Sequence, residues 1–187
     1  RENTYIIHPG GRTISNFMDP VWKRADRTYQ SNVASVNYGY TNGMLSTITR
    51  GGYLQSGATT KYNQIYGFTY DEFGNRKSVT IQGEIRNKSD SSLLSSSVAE
   101  TLVSYDYQPY NGNLERITYA PDLTTPLATV SYTYDNLDRV KSINYSGTNT
   151  TYGYNYSSDG SLAGITKNGT LAYTYEYDSL GRLISSQ

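Results

Sequence analysis

Hydrophobic positions along this chain recur first two apart and then three apart. A pair of aromatics separated by one residue is followed by a short polar turn, and then by two aliphatics spaced i, i+3. The pattern is plain in Tyr132-Thr-Tyr134-Asp-Asn-Leu-Asp-Arg139-Val140-Lys-Ser-Ile143 and in Tyr154-Asn-Tyr156-Ser-Ser-Asp-Gly160-Ser-Leu162-Ala-Gly-Ile165. Further copies run from Tyr38 to Ile48, Tyr66 to Val79, Tyr105 to Ile117 and Tyr175 to Ile184. With the second tyrosine as marker they fall at Tyr40, Tyr70, Tyr107, Tyr134, Tyr156 and Tyr177, so the separations are 30, 37, 27, 22 and 21 residues. The period settles near 21, and the extra length of early copies lies in polar stretches such as 86–92, where a repeat array accepts insertions.

Alternation is the signature of a strand, and Tyr-x-Tyr puts both rings on one face. The turn carries its own chemistry. Asn42-Gly43, Asn111-Gly112, Asp159-Gly160 and Asn168-Gly169 accept positive φ, as do Gly74, Gly112, Gly160 and Gly181 singly. Where Asp71, Asp135 or Asp178 opens the turn, its carboxylate can accept a backbone N–H two residues on, and Arg139 and Arg182 stand four residues later, placed to pair back. The i, i+3 aliphatics would face opposite sides of a regular strand, so a bulge or irregular pairing is expected beside each turn.

About 21 residues is two short strands and two turns, hence one hairpin per repeat. The predicted fold is all-β: tandem hairpins in one long coiled antiparallel sheet, with helix below about a tenth. Turns are predicted near Asn42-Gly43, Gly74, Gly112, Asp138, Gly160 and Gly181. The chain reads as one array over 1–187: a degenerate first unit in 1–37, in which Tyr5-Ile-Ile7-His8 to Ile14 overlays the last copy, and six recognisable units in 38–187. Ser89 to Ser97 reads as a loop between hairpins. Tyr107, Tyr134, Tyr156 and Tyr177 should fall at equivalent strand positions and pack as a ladder, each burying its ring while the hydroxyl reaches water or a neighbouring backbone group.

Composition sharpens this picture. Of 187 residues 21 are Tyr, against 3 Phe and 1 Trp, which leaves few aliphatics for a thick core and favours a thin, tyrosine-lined layer. Sixteen basic and 16 acidic side chains balance without a basic run, which argues against nucleic-acid binding. No Cys and a single His, His8, exclude disulfides, thiolate chemistry and a two-histidine metal site, so no cofactor or metal is expected. Asp71, Asp135 and Asp178 could be read as calcium ligands, yet each turn offers only one or two carboxylates, and the turn-capping reading is preferred. His8 near Asp19 or Asp26 comes with no nucleophile motif and is read as a turn residue, so no enzyme is expected. No apolar run is long enough to span a bilayer, and no membrane insertion is expected.

Tyr177-Asp178-Ser-Leu-Gly181-Arg182-Leu183 closely resembles the YD repeat of the Rhs family. That family includes bacterial Rhs polymorphic toxins, the C components of insecticidal Tc toxins, wall-associated bacterial proteins and animal teneurins. Tyr134-Asp135-Asn-Leu-Asp138-Arg139-Val140 matches with Asp for Gly, and Tyr70-Asp71-Glu-Phe-Gly74-Asn75 with Asn for Arg. The resemblance implies a strip of hairpins spiralling into a hollow shell, which in toxin members encloses a C-terminal effector. The segment that closes and self-cleaves toxin-type shells is not found, and family shells are several times longer, so the chain is expected to be a fragment. The function it implies is a non-enzymatic shell or scaffold segment of a secreted or cell-surface bacterial protein. Its partners would be the remaining repeats or capping domains of the parent, with self-association through sheet edges. The alternative, from a different class, is a tyrosine-lined carbohydrate-binding or adhesion module, because aromatic faces stack on sugar rings; the similar glucan-binding repeats continue to a Gly-Trp pair, whereas Trp22 here lies outside the regular copies.

Overall fold

The computed structural model describes residues 3–7, 13–18, 25–30, 34–53 and 59–187. His8, Asp19 and Trp22, and with them most of the turn of the expected Tyr5 to Ile14 copy, lie outside these residues. The fold is all-β and antiparallel, built from hairpins in chain order. The helical element among the described residues is one 3-10 turn, Ser146–Thr148.

The chain divides into two units, 1–102 and 103–187. The first holds β1 (Asn3–Ile7), β2 (Thr13–Met18), β3 (Ala25–Gln30), β4 (Ala34–Thr41), β5 (Met44–Tyr53), β6 (Thr60–Tyr70), β7 (Arg76–Asn87) and β8 (Leu93–Ser96). β9 (Glu100–Tyr107) carries the division. The second unit continues with β10 (Leu114–Tyr119), β11 (Ala128–Tyr134), β12 (Val140–Tyr145), β13 (Thr150–Tyr156), β14 (Leu162–Lys167), β15 (Thr170–Tyr177) and β16 (Leu183–Ser186). One expectation is corrected: the Ser-rich stretch is not all loop, because β8 pairs with β7 through Glu84↔Ser96, Ile85↔Ser95 and Arg86↔Leu93.

The bulge expected from the i, i+3 aliphatics is present in every regular copy. Tyr134 pairs with Val140 and Thr133 with Ser142, so Lys141 is the extra residue. Glu115, Ala163 and Ser46 are extra in the same way between Leu114 and Arg116, Leu162 and Gly164, and Leu45 and Thr47. One inserted residue restores both aliphatics to the tyrosine face. The second tyrosine then opposes the first aliphatic, as in Tyr40↔Leu45, Tyr107↔Leu114 and Tyr156↔Leu162. The first tyrosine opposes the second aliphatic, as in Tyr38↔Ile48, Tyr105↔Ile117, Tyr132↔Ile143 and Tyr154↔Ile165. The copy around Tyr70 departs, since Phe68↔Val79 fills the first position and Arg76 the aliphatic one. In the last copy Ser186, not Ile184, opposes Tyr175.

The pairing sorts residues onto two unlike faces. In the second unit one face is mostly Tyr, Ile, Val and Leu, with Ala128, Thr150, Lys167 and Thr170 at strand ends. The other carries Ser104, Thr118 and Thr129, which pair in a row, Ser142, Gly153 and Thr166, which pair in another, and Ser131, which pairs with Arg116 and Asn144. On that polar face Thr133 and Ser142 hydroxyls bond at 2.7 Å, and Asn144 donates to Thr151 at 2.7 Å. Neither face is covered by a second layer within its unit, and Val130, 8% exposed, is the buried hydrophobic residue among those described. Stability therefore rests on neighbouring side chains in one layer and on the connections between hairpins rather than on a two-sided core.

Candidate functional site

The five-residue turns are built alike. The N–H of Asp135 donates to the carbonyl of Arg139 at 2.9 Å, and that of Asp138 to the carbonyl of Asp135 at 3.1 Å. Asp71 with Asn75 and Gly74, and Asp178 with Arg182 and Gly181, repeat both bonds. The fourth residue is left-handed in each, with φ of 87° at Gly74, 59° at Asp138, 91° at Gly160 and 74° at Gly181, which is why glycine is preferred there. Gly112 at 72° and the Asn42-Gly43 pair at 49° and 83° close the remaining turns at the expected places.

The opening aspartate caps its own turn. One Asp135 oxygen accepts the N–H groups of Leu137 and Arg139 at 2.9 and 3.0 Å, while the other takes the Arg139 guanidinium at 2.7 Å. Asp178 does the same with Leu180 and Arg182, and Asp71 with Phe73 and Asn75, whose side-chain amide stands in for the arginine at 3.0 Å. The Arg139 guanidinium holds the Asp135 carboxyl below its ordinary range; partial desolvation opposes this and the backbone donors add to it. At Asp178 the backbone N–H of Arg182 leads and its guanidinium follows. Desolvation pushes Asp71 up, and the donors of Asn75, Phe73 and Gly74 more than reverse it. These carboxylates are occupied by protein donors, and no group of three or more metal-ligating side chains occurs among the described residues.

The second tyrosines do what the sequence only allowed. Tyr70, Tyr107, Tyr134, Tyr156 and Tyr177 are each the last residue of their strand, and Tyr40 is the last but one. The Tyr156 hydroxyl donates to the carbonyl of Val140 at 2.8 Å, Tyr134 to Leu114 at 2.8 Å and Tyr70 to Leu45 at 2.8 Å. Each acceptor is the residue opposite the second tyrosine of the preceding unit, so every bond ties one hairpin to the one before it. Tyr40 donates likewise to Ala25 at 2.8 Å, and Ala25 pairs with Met18 beside a bulge. The unit preceding Tyr40 is thus the β2–β3 hairpin with Met18 in the tyrosine position, a phase different from the Tyr5 to Ile14 overlay; β1 and β2 pair through Ile7↔Thr13 on the opposite, connecting end.

The expected ring ladder is corrected. Directly opposite every second tyrosine but Tyr70, which faces Arg76, is an aliphatic, and the edge-to-face ring pair among the described residues is Tyr145 with Tyr152, centroids 6.1 Å apart. Cohesion between units comes from hydroxyl–carbonyl bonds and from Arg139, whose guanidinium lies 4.1 Å from the centroid of Tyr156 in the next unit. Asp138 adds a tie in the other direction, accepting from Asn111 and Asn113 of the preceding turn at 2.8 and 3.0 Å. This accounts for aspartate at a glycine position, since Asp tolerates the left-handed region and its carboxylate has work there.

A third hydrophobic position was missed from the sequence. Two residues before each first tyrosine stand Val36, Val103, Val130, Tyr152 and Tyr173, so that Ile143 is flanked by Tyr132 and Tyr152, and Ile165 by Tyr154 and Tyr173. The signal was available in the longer alternation of Tyr152-Gly-Tyr154-Asn-Tyr156 and Tyr173-Thr-Tyr175-Glu-Tyr177. It also means that each hairpin advances two residues on the last, because Ile143 opposes Tyr132 on one side and Tyr152, not Tyr154, on the other. Burial raises the phenol ionisation of Tyr132, Tyr134 and Tyr154, with neighbouring tyrosines adding to it at Tyr132 and Tyr154.

No model of a known protein family matches this chain, and no curated protein matches it.

Proposed function

We propose that this chain is a non-enzymatic structural segment of a YD-repeat shell or scaffold belonging to a secreted or cell-surface bacterial protein. The observation that carries the reading is the chain of unit-to-unit bonds from Tyr40, Tyr70, Tyr134 and Tyr156 to the carbonyls of Ala25, Leu45, Leu114 and Val140. A wall must hold its spacing without a partner, and these anchors are made wholly within the chain. The Tyr-Asp-x-x-Gly-Arg motif has a purely structural account in the same geometry. Its Tyr anchors backwards, its Asp caps the turn, its Gly supplies positive φ and its Arg binds the Asp; at Arg139 the guanidinium also covers the next tyrosine. In the Tyr134 copy the Tyr, Asp and Arg groups are thereby all engaged in folding rather than presented to a substrate. The remaining repeats or capping domains of the parent protein would cover the sheet edges.

Cryo-electron microscopy of the parent polypeptide tests this. The expected result is a hollow wall in which this segment forms consecutive hairpins, with protease protection of whatever is enclosed. A segment folded as a separate body with no enclosed space, or a turnover activity lost on substituting Asp135 or Asp178, would overturn it.

A further inference from the structure

The long hairpin of the first unit and the insertion after it build a hollow on one face of the sheet. Tyr62 pairs with Ile85, Gln64 with Gly83 and Tyr66 with Ile81, so Ile81, Gly83 and Ile85 share that face and the glycine leaves a gap between two aliphatics. Tyr62 leans over the gap, its hydroxyl 3.0 Å from the point that a Cβ on Gly83 would occupy. β8 and the residue after it close one side. Ser95 pairs with Ile85, and Ser97 grips Gly83 twice: its N–H donates to the Gly83 carbonyl at 2.9 Å and its Oγ accepts the Gly83 N–H at 2.9 Å. The Gln82 side-chain amide holds the Ser97 carbonyl at 3.0 Å. The resulting cavity has a volume of about 430 Å³, within the range of small-ligand sites, and Glu100 is the sole charged residue lining it. That carboxylate belongs to none of the ion pairs among the described residues. The nearby Glu84 and Arg86 are paired with each other at 2.7 Å and alternate with Ile85, so they lie on the opposite face.

We propose that this cavity binds small organic cations that carry an ammonium or guanidinium head on a short apolar stem. The head pairs with the Glu100 carboxylate, and the Ser95 and Ser97 hydroxyls that line the same cavity supply neutral acceptors. The stem lies along Ile81, Ile85 and the Tyr62 ring, whose face also attracts a cation. Each half of the ligand is selected separately. An inorganic cation gains nothing from the aliphatic walls, a neutral alcohol leaves Glu100 without a counter-charge, and an acid is repelled by it. The inference is independent of the shell reading, since every group in the site belongs to β6, β7 and the segment that leads into β9.

Titration of the whole chain with n-hexylamine, followed through amide chemical shifts, tests it. Hexylamine should bind at millimolar concentration and shift Gly83, Ser95, Ser97 and Glu100. 1-Hexanol should bind about fivefold more weakly, as expected for the loss of one partly exposed charge pair, and hexanoate more weakly still. Glu100→Gln should bring the amine down to the affinity of the alcohol, leave the alcohol unaffected and leave the unfolding midpoint in place, because this exposed carboxylate takes no part in the fold's ion pairs. Gly83→Val fills the hollow and should abolish binding of both. A blocked extended tripeptide with central lysine separates the two sources of such a head: tighter binding than hexylamine identifies a basic side chain of a polypeptide, and affinity no greater identifies a free amine. Equal affinity for hexylamine and hexanol, amine binding unchanged by Glu100→Gln, or shifts confined to other parts of the chain would overturn the proposal.

Discussion

Tyr156 separates the contribution of a ring from that of its hydroxyl. Its ring is half-buried at the end of β13, under the Arg139 guanidinium at 4.1 Å, and its hydroxyl reaches the Val140 carbonyl at 2.8 Å. Tyr156→Phe keeps ring and cation contact and removes one neutral hydrogen bond, which predicts a loss of about 1 kcal/mol. Tyr156→Ala removes the bond together with about 2 kcal/mol of ring burial and about 0.5–1 kcal/mol of cation–π attraction, a total near 4 kcal/mol. Tyr154→Phe, two residues away on the same face, removes a hydroxyl with no hydrogen-bond partner among the described residues and should change stability by less than about 0.5 kcal/mol. Urea unfolding of the whole chain, followed by tyrosine fluorescence and circular dichroism, gives the three values if the denaturant slope stays constant. Equal midpoints for Tyr156→Phe and Tyr154→Phe would refute the anchoring role of the hydroxyl. A Phe variant as damaged as the Ala variant would refute the assignment of most of the energy to the ring.

Other outcomes follow from the turns and strands. Gly181→Ala meets no atom within 4 Å but must hold φ near +74°, so the cost should be purely conformational, about 1–2 kcal/mol, read as a lowered thermal midpoint. Gly153→Ala should also destabilise, because its new methyl would lie 2.6 Å from the Thr166 hydroxyl; the double variant Gly153→Ala, Thr166→Ala should recover most of the loss. Asp135 and Asp178 are held below their ordinary range, so their contribution is complete above about pH 4 and fades as pH falls through the lower folded values. Acid titration of the unfolding midpoint should show that decline, and Asp135→Asn with Asp178→Asn should flatten it. Raised ionisation of Tyr132, Tyr134 and Tyr154 has the opposite sense: stability should fall as pH climbs above about 10, with a late phenolate fraction visible by ultraviolet absorbance.

What could be read in advance was whatever a residue decides within its own few neighbours. Asn42-Gly43, Gly74 and Asp178 declare their turns because positive φ and side-chain capping are local properties, and the Leu-x-x-Ile spacing betrayed a bulge because strand alternation admits no other way to bring both residues to one face. Features that depend on register between hairpins stayed hidden. Nothing in Tyr156 says that its hydroxyl will meet Val140, since the two-residue advance that brings them together is set by pairing in β12 and β13. The Met18–Ala25 unit was out of reach for a related reason: it keeps the bulge and the accepting carbonyl but has no tyrosine to announce it. β8 escaped because Leu93-Leu94-Ser95-Ser96 has no alternation, and its pairing is with a neighbour that an insertion happens to pass.

The anchoring bonds have a direction, and the direction bears on how such an array holds together. Tyr40, Tyr70, Tyr134 and Tyr156 donate towards the N-terminal neighbour, while Arg139 lies over the ring of the C-terminal one and Asp138 accepts from the turn behind it. A hairpin is therefore held by its predecessor through its tyrosine and holds its successor through its carbonyl and its arginine. Units with both partners gain all of these contacts, so loss of an internal tyrosine should loosen the units on both sides of the break, as nearest-neighbour coupling in repeat proteins requires. Val130 is the one buried apolar side chain among those described, so the described residues form no shared core to mask that coupling. The same logic explains why tyrosine rather than phenylalanine dominates the chain. In a single layer the backbone carbonyls beside each bulge lie within reach of water, and only a ring carrying a hydroxyl can cover the layer and tie those carbonyls to the next hairpin at once.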